Sequence, residues 1–143
     1  EKKINIKKKK IYNNFFKRIQ NLKKNLNKKI NSIKKEKKTI FVLGASTKGN
    51  TILQYLSIDK KIIPYAIERN KEKIGAKTIG TDIQIISEKQ VENFQPDYKL
   101  VLPWHFKKEI ISREKEYIRN GGSLIFPLPN VHLINRKNYR KYL

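Results

Sequence analysis

Thr39-Ile40-Phe41-Val42-Leu43-Gly44-Ala45-Ser46-Thr47-Lys48-Gly49-Asn50-Thr51 is the stretch whose reading decides the fold. Thr39 to Leu43 reads as a strand of the kind buried in a parallel sheet. Small residues and one lysine follow, and Ile52, Leu53, Tyr55 and Leu56 then recur at helical spacing. A strand, a small-residue turn and a helix start place a nest of backbone N–H groups at a helix N-terminus, a setting that holds anions and usually phosphate. Gly44 permits a tight turn, Gly49 lets the backbone approach a ligand, Ser46 and Thr51 offer hydroxyls, and Lys48 offers charge. The dinucleotide fingerprint needs glycine where Ser46 stands, and a P-loop needs its lysine after the second glycine. A plain βα turn with a surface lysine is the competing reading.

Working outward, the segment after Lys38 alternates short apolar runs with helical patterns. The expected elements are a strand at 39–43, a helix at 49–57, strands at 62–67 and 83–86, a helix at 87–94, a strand at 99–103, a helix at 107–119 and a strand at 123–127. Alternation of this kind implies βαβ units and an α/β fold with a mostly parallel sheet covered by helices. Gly121-Gly122 after Arg119-Asn120 is a helix stop. Upstream, residues 1–10 read as a solvated basic segment. Tyr12, Phe15, Phe16, Ile19, Leu22, Leu26, Ile30 and Ile33 then form one stripe of an amphipathic helix. That helix would pack on its own domain or on a preceding one, lie on a membrane surface, or self-associate. The expected organisation is a basic linker helix over 1–38, an α/β domain over 39–134 and a basic surface tail over 135–143.

In an open parallel sheet, ligands bind outside the carboxyl ends of the strands. The second strand ends in Glu68-Arg69-Asn70, near the place where doubly wound folds set an acidic residue about 20 positions on to meet a ribose hydroxyl. An exposed Glu–Arg pair is the alternative. The fourth strand runs into Trp104-His105, which would stack a base or sugar, or cap the core. No paired carboxylates, His-x-x-x-His spacing or nucleophile–base pair stands out, so neither catalytic residues nor metal ligands are expected in this chain.

The bulk numbers set bounds on function. The 143 residues carry a formal charge of +22, which invites a nucleic-acid reading. The charge is uneven, however: residues 1–38 carry 16 basic and 2 acidic side chains, and residues 39–134 carry 14 and 10. Heavy use of Lys, Ile and Asn fits a compositional bias as well as it fits polyanion binding. The absence of cysteine excludes a disulfide framework and a thiolate metal site. No apolar run approaches the roughly 20 residues of a membrane span. The chain has no methionine and begins at Glu1, so it is expected to be a piece of a longer protein.

Leu43 to Thr51, then Ile67-Glu68-Arg69-Asn70, Gly80-Thr81, Leu100-Val101-Leu102-Pro103-Trp104-His105-Phe106, Gly121-Gly122 and Phe126-Pro127-Leu128-Pro129 resemble the C-terminal domain of the sugar C-methyltransferase family. The resemblance covers about residues 39–130 and implies a Rossmann-like domain with helices on both faces. Such enzymes use S-adenosylmethionine to methylate a carbon of a nucleotide-linked keto-deoxysugar. A base takes the proton next to the keto group, and the enolate attacks the donor's methyl group. Members have a zinc-binding N-terminal domain and a central methyltransferase domain. The resemblance therefore places the cofactor and the base in a preceding domain absent from this chain, which would bind no cofactor itself. Implied partners are a nucleotide-sugar and that methyltransferase domain, in a cytoplasmic enzyme with no specific nucleic acid. Carried over, Gly44, Ala45, Ser46, Lys48, Gly49, Asn50 and Thr51 form the anion-contacting turn. Glu68, Arg69, Asn70 and Lys73 lie beside it, and Trp104 and His105 stand on the same rim. The family usually has Asp at Glu68 and prolines at Ile79 and Gln84, which implies a looser 71–86 loop here. The alternative function is a basic nucleic-acid-binding module using the Lys-rich N-terminal arm.

Overall fold

The structure, a computed structural model, describes residues 9–143. Most of the basic segment read at 1–10 lies outside the described residues. The elements in order are helix α1 (Lys9–Lys35), strand β1 (Ile40–Leu43), α2 (Thr47–Tyr55), β2 (Tyr65–Glu68), β3 (Gln84–Ser87) and α3 (Glu88–Val91). They continue with β4 (Tyr98–Val101), a 3-10 turn (Trp104–Phe106), α4 (Lys107–Arg113), α5 (Lys115–Arg119), β5 (Ser123–Phe126), β6 (His132–Ile134) and a second 3-10 turn (Tyr139–Tyr142).

The six strands form one sheet in the order β3-β2-β1-β4-β5-β6. All neighbours are parallel except β5 and β6. From β1 the chain moves one way through β2 and β3, then returns to β4 and moves the other way. The direction of travel therefore reverses between β1 and β4. Every residue of β1 is buried, and the strand period of two divides them between two cores. Ile40 and Val42 face the layer that holds Leu26, Ile30 and Ile33 of α1 and Leu53 of α2. Phe41 and Leu43 face Val91 of α3, Ile110 and Ile111 of α4 and Ile118 of α5. The expected α/β architecture with a mostly parallel sheet is what the chain adopts.

The apolar stripe of α1 is used unevenly. Leu26, Ile30 and Ile33 are buried, each side chain contributing about 1.5–3 kcal/mol of hydrophobic stabilisation. Tyr12, Phe15 and Phe16 remain 57%, 56% and 61% exposed. Gln20 and Lys23 reach Tyr55 of α2, and Lys34 donates to the Lys61 carbonyl, so the carboxyl half of the helix lies on the sheet layer.

Several boundaries differ from expectation for identifiable reasons. β2 starts at Tyr65 rather than residue 62, because Ile62 and Ile63 donate into a turn at Asp59 and Pro64 has no N–H to give a ladder. The helix expected over 107–119 is interrupted at Glu114, where φ −86° and ψ 13° leave helical values. β6 was not expected at all. Nor is the tail wholly on the surface: Tyr139 is 3% exposed and belongs to the second core. The loop expected to be looser for want of two prolines carries its own bonds. Buried Thr78 and Thr81 share a hydroxyl contact of 2.6 Å, and the Ile83 amide donates to Thr78 Oγ1.

Candidate functional site

The point of reversal between β1 and β4 is where the chain exits of neighbouring strands diverge, which makes a crevice at their carboxyl ends. Gly44 opens it with φ +85°, and its amide donates to the Ile67 carbonyl at 2.8 Å. A Cβ at Gly44 would sit 2.8 Å from Pro103 Cδ, so the β1 and β4 exits touch at this residue. Ser46 caps α2, its Oγ accepting from the Gly49 amide at 3.1 Å. The Asn50 amide donates to the Ser46 carbonyl.

Glu68 ties the turn to β2. Oε2 accepts from the Ala45 amide at 2.9 Å, while Oε1 accepts from the Arg69 and Asn70 amides at 2.8 and 3.1 Å. Lys73 Nζ closes the loop by donating to the Ala45 carbonyl at 3.1 Å. Partial burial pushes the Glu68 carboxyl up, but the Asn70, Arg69 and Ala45 amides and the Lys73 charge outweigh it and hold the group below its usual range. Since the folded value is the lower one, the stabilisation is fully present above the unfolded value and is lost as pH falls through the folded one. We expect Glu68→Gln to be less stable than the parent at neutral pH, with the gap closing as pH falls through the lowered range of the folded parent's carboxyl. Urea unfolding across that range checks it, and a gap that persists in acid contradicts it.

These bonds consume much of the expected nest. Among the described residues, the turn amides left without an acceptor are those of Ser46, Thr47 and Lys48. A cavity of about 180 Å³ opens beside Ser46, lined also by Leu43, Gly44, Ile67, Glu68, Arg69, Lys73, Glu88, Pro103 and Arg113. Glu88 is shared, Oε2 lying 3.8 Å from Arg69 Nε and Oε1 3.9 Å from Arg113 Nε. Arg113 also lies 3.6 Å from Glu114. The exposed pairs with Glu88 are weak at this length, so Arg69 is available to an entering anion, while Arg113 is shared with Glu114.

The other expected site residues lie around this crevice rather than in it. Lys48 and Thr51 are exposed on α2, with Thr51 Oγ1 turned to the Thr47 carbonyl. Asn50 Oδ1 is buried without a partner among the described residues. Asn70 Oδ1 accepts from the Glu72 amide. The atoms nearest a Cβ at Gly49 belong to Leu102, at 2.5 Å, so this glycine admits close packing of α2 on β4. Trp104 packs against the second core, and exposed His105 meets it edge-on at 5.7 Å. Sequence reasoning missed Glu88, Pro103 and Arg113 as lining residues. Pro103 stands in a quoted motif, but nothing local marks Arg113.

A larger hollow of about 550 Å³ lies away from this crevice, between the α3–β4 loop and the end of α5. Of its lining groups, Lys99 is engaged with Glu114 and Tyr117 with the Pro96 carbonyl. Among the described residues, no group of His, Cys, Asp and Glu is arranged to hold a metal ion, and no helix is long and apolar enough to cross a membrane.

Comparison with known proteins gives this geometry a family. A curated relative, the C-methyltransferase NovU of Streptomyces niveus, is 35% identical over 101 residues, 71% of this chain and 24% of that protein. The match thus spans about a quarter of the relative's length. The C-methyltransferase C-terminal domain family matches residues 1–129, including the α1 helix that the motif resemblance left out. A match over that much of the sequence settles the affiliation, and the chain belongs to the C-methyltransferase C-terminal domain family.

Proposed function

We propose that this chain is the substrate-side domain of a methyltransferase acting on a nucleotide-linked keto-deoxysugar, and that the crevice between the β1 and β4 exits grips the nucleotide-sugar's diphosphate. The observation that carries this reading is the convergence of Arg69, Lys73 and Arg113 on one cavity with Ser46, whose amide is unpaired. Charged forks and oriented amides are the groups that hold phosphate oxygens. The strand order supports a Rossmann-like assignment, since it is the order in which doubly wound sheets bind nucleotides at the reversal point.

S-adenosylmethionine does not fit the same residues. Its sulfonium is a cation; three basic side chains line the cavity, and Glu88, which also lines it, faces Arg69 and Arg113. Both oxygens of Glu68, the group positioned to meet a ribose, already accept backbone amides. The methyl donor and the base are therefore assigned to another domain of the parent enzyme. This domain contributes affinity and orientation, which lower the barrier by fixing the reacting carbon.

Titration of the full-length enzyme with its nucleotide-sugar tests the reading. Lys73→Ala and Arg113→Gln are each expected to weaken binding about tenfold, the scale of one charge-assisted hydrogen bond. Lys48→Ala, on the exposed face of α2, is expected to weaken it by less. Affinity for S-adenosylmethionine should stay the same throughout. Unchanged substrate affinity in both the Lys73 and Arg113 variants overturns the assignment.

A further inference from the structure

At the opposite end of the sheet a second concave surface is built almost wholly from cations. β6 runs antiparallel to β5 with Ile134 opposite Leu124, so the chain after Ile134 emerges beside the start of β5, where Arg119 also lies at the end of α5. The Asn135–Asn138 turn is pinned there, the Asn135 amide donating to Asn138 Oδ1 at 2.9 Å and Asn138 Nδ2 to the Leu133 carbonyl at 2.9 Å. The result is a pocket of about 410 Å³ lined by Arg119, Arg136, Lys137, Tyr139 and Arg140. Among the described residues, no carboxylate pairs with any of these four cations. Tyr139, buried in the core, presents its hydroxyl to Arg119 Nε at 3.3 Å.

Four like charges around one concavity repel one another, and the arrangement is relieved by an anion that bridges them. Three are guanidiniums, whose planar forks match phosphate oxygens two at a time. The walls are mostly polar, with Tyr139 the one aromatic lining residue, so the part recognised is compact and multiply charged. We propose that Arg119, Arg136, Lys137 and Arg140 form a second anion site that binds a diphosphate group, free as inorganic pyrophosphate or carried on a nucleoside diphosphate. It is independent of the crevice, with which it shares no residue.

Tyr139 supplies a reporter within the site. Hydrogen bonds from Arg119 and Arg140, and their charges, bring its phenol down to about 8. An anion bound to those guanidiniums removes part of that support, so binding raises the ionisation point. The phenolate absorbance of the chain is titrated against pH with and without pyrophosphate, with potassium chloride at matched ionic strength as control and Tyr139→Phe identifying the transition. Calorimetric titration of the same proteins reads affinity directly. We expect pyrophosphate, but not the chloride, to move the transition upward. Arg136→Gln/Lys137→Gln leaves the two groups that hold the hydroxyl in place, and should abolish the shift and weaken pyrophosphate binding at least about tenfold. Arg113→Gln, in the crevice, should leave the shift intact. Equal shifts with pyrophosphate and a nucleoside diphosphate identify the bare diphosphate as the ligand, and a larger shift with the nucleotide identifies the carried form. A shift no larger than that of matched salt, or one retained with full affinity in the Arg136→Gln/Lys137→Gln protein, overturns the site.

Discussion

Replacing Glu114 with alanine is expected to cost the domain about 3–5 kcal/mol. Lys99 stands in the middle of the parallel sheet, and it and Glu114 are 7% and 8% exposed, with Nζ 2.6 Å from Oε2. An ammonium left in that position keeps only the face of Tyr117, 4.1 Å from its ring centre. That contact is worth about 2 kcal/mol when desolvated, which does not offset the loss of a carboxylate. Lys99→Ala should cost less, because the stranded carboxylate still has Arg113 at 3.6 Å. A double replacement, Lys99→Met with Glu114→Leu, removes both charges and is expected to lie near the parent in stability, since desolvation and attraction in such pairs largely cancel. Equilibrium unfolding in urea measures all three. A Glu114→Ala protein within about 1 kcal/mol of the parent would show that water reaches the ammonium through the neighbouring hollow.

That same pair shows why parts of the fold could not be read from the sequence. The β1–turn–α2 unit was legible because its signals are local: a buried run, a glycine turn and apolar residues at helical spacing within a few residues. The burial of Glu114 was not, because its partner is a lysine on another element. Arg113 escaped notice for the same reason. No motif contains it, and the packing of α4 on the sheet brings it to Glu88 and the crevice. β6 has three residues, and Val131-His132-Leu133-Ile134 gives neither a clean alternation nor a helix before it. Its identity depends on pairing with β5. The tail was read from its charge, which is correct for Arg136, Lys137 and Arg140, while Tyr139 between them turns inward. Glycine spacing likewise marked Gly49 as special without revealing whether a ligand or Leu102 fills the space beside it.

Gly44→Ala puts the opening turn itself to the test, with an expected loss of about 2–4 kcal/mol. Two costs combine. At φ +85° an L side chain is strained by about 1–2 kcal/mol, and the new Cβ would stand 2.8 Å from Pro103 Cδ and 3.1 Å from its Cγ. A proline ring cannot rotate out of the way, so the overlap must be relieved by parting the β1 and β4 exits, at about 1–3 kcal/mol. The gain from a less flexible unfolded chain, about 0.4–1 kcal/mol, is too small to compensate. Parting those exits also moves the crevice floor, so ligand affinity should fall together with stability. Gly75→Ala is the control: it removes a glycine at φ +90° with nothing within 4 Å of the added carbon, so it incurs the strain without the overlap. Urea unfolding of the two variants separates the contributions. If Gly44→Ala is no more costly than Gly75→Ala, the contact between Gly44 and Pro103 does not hold the two strand exits together.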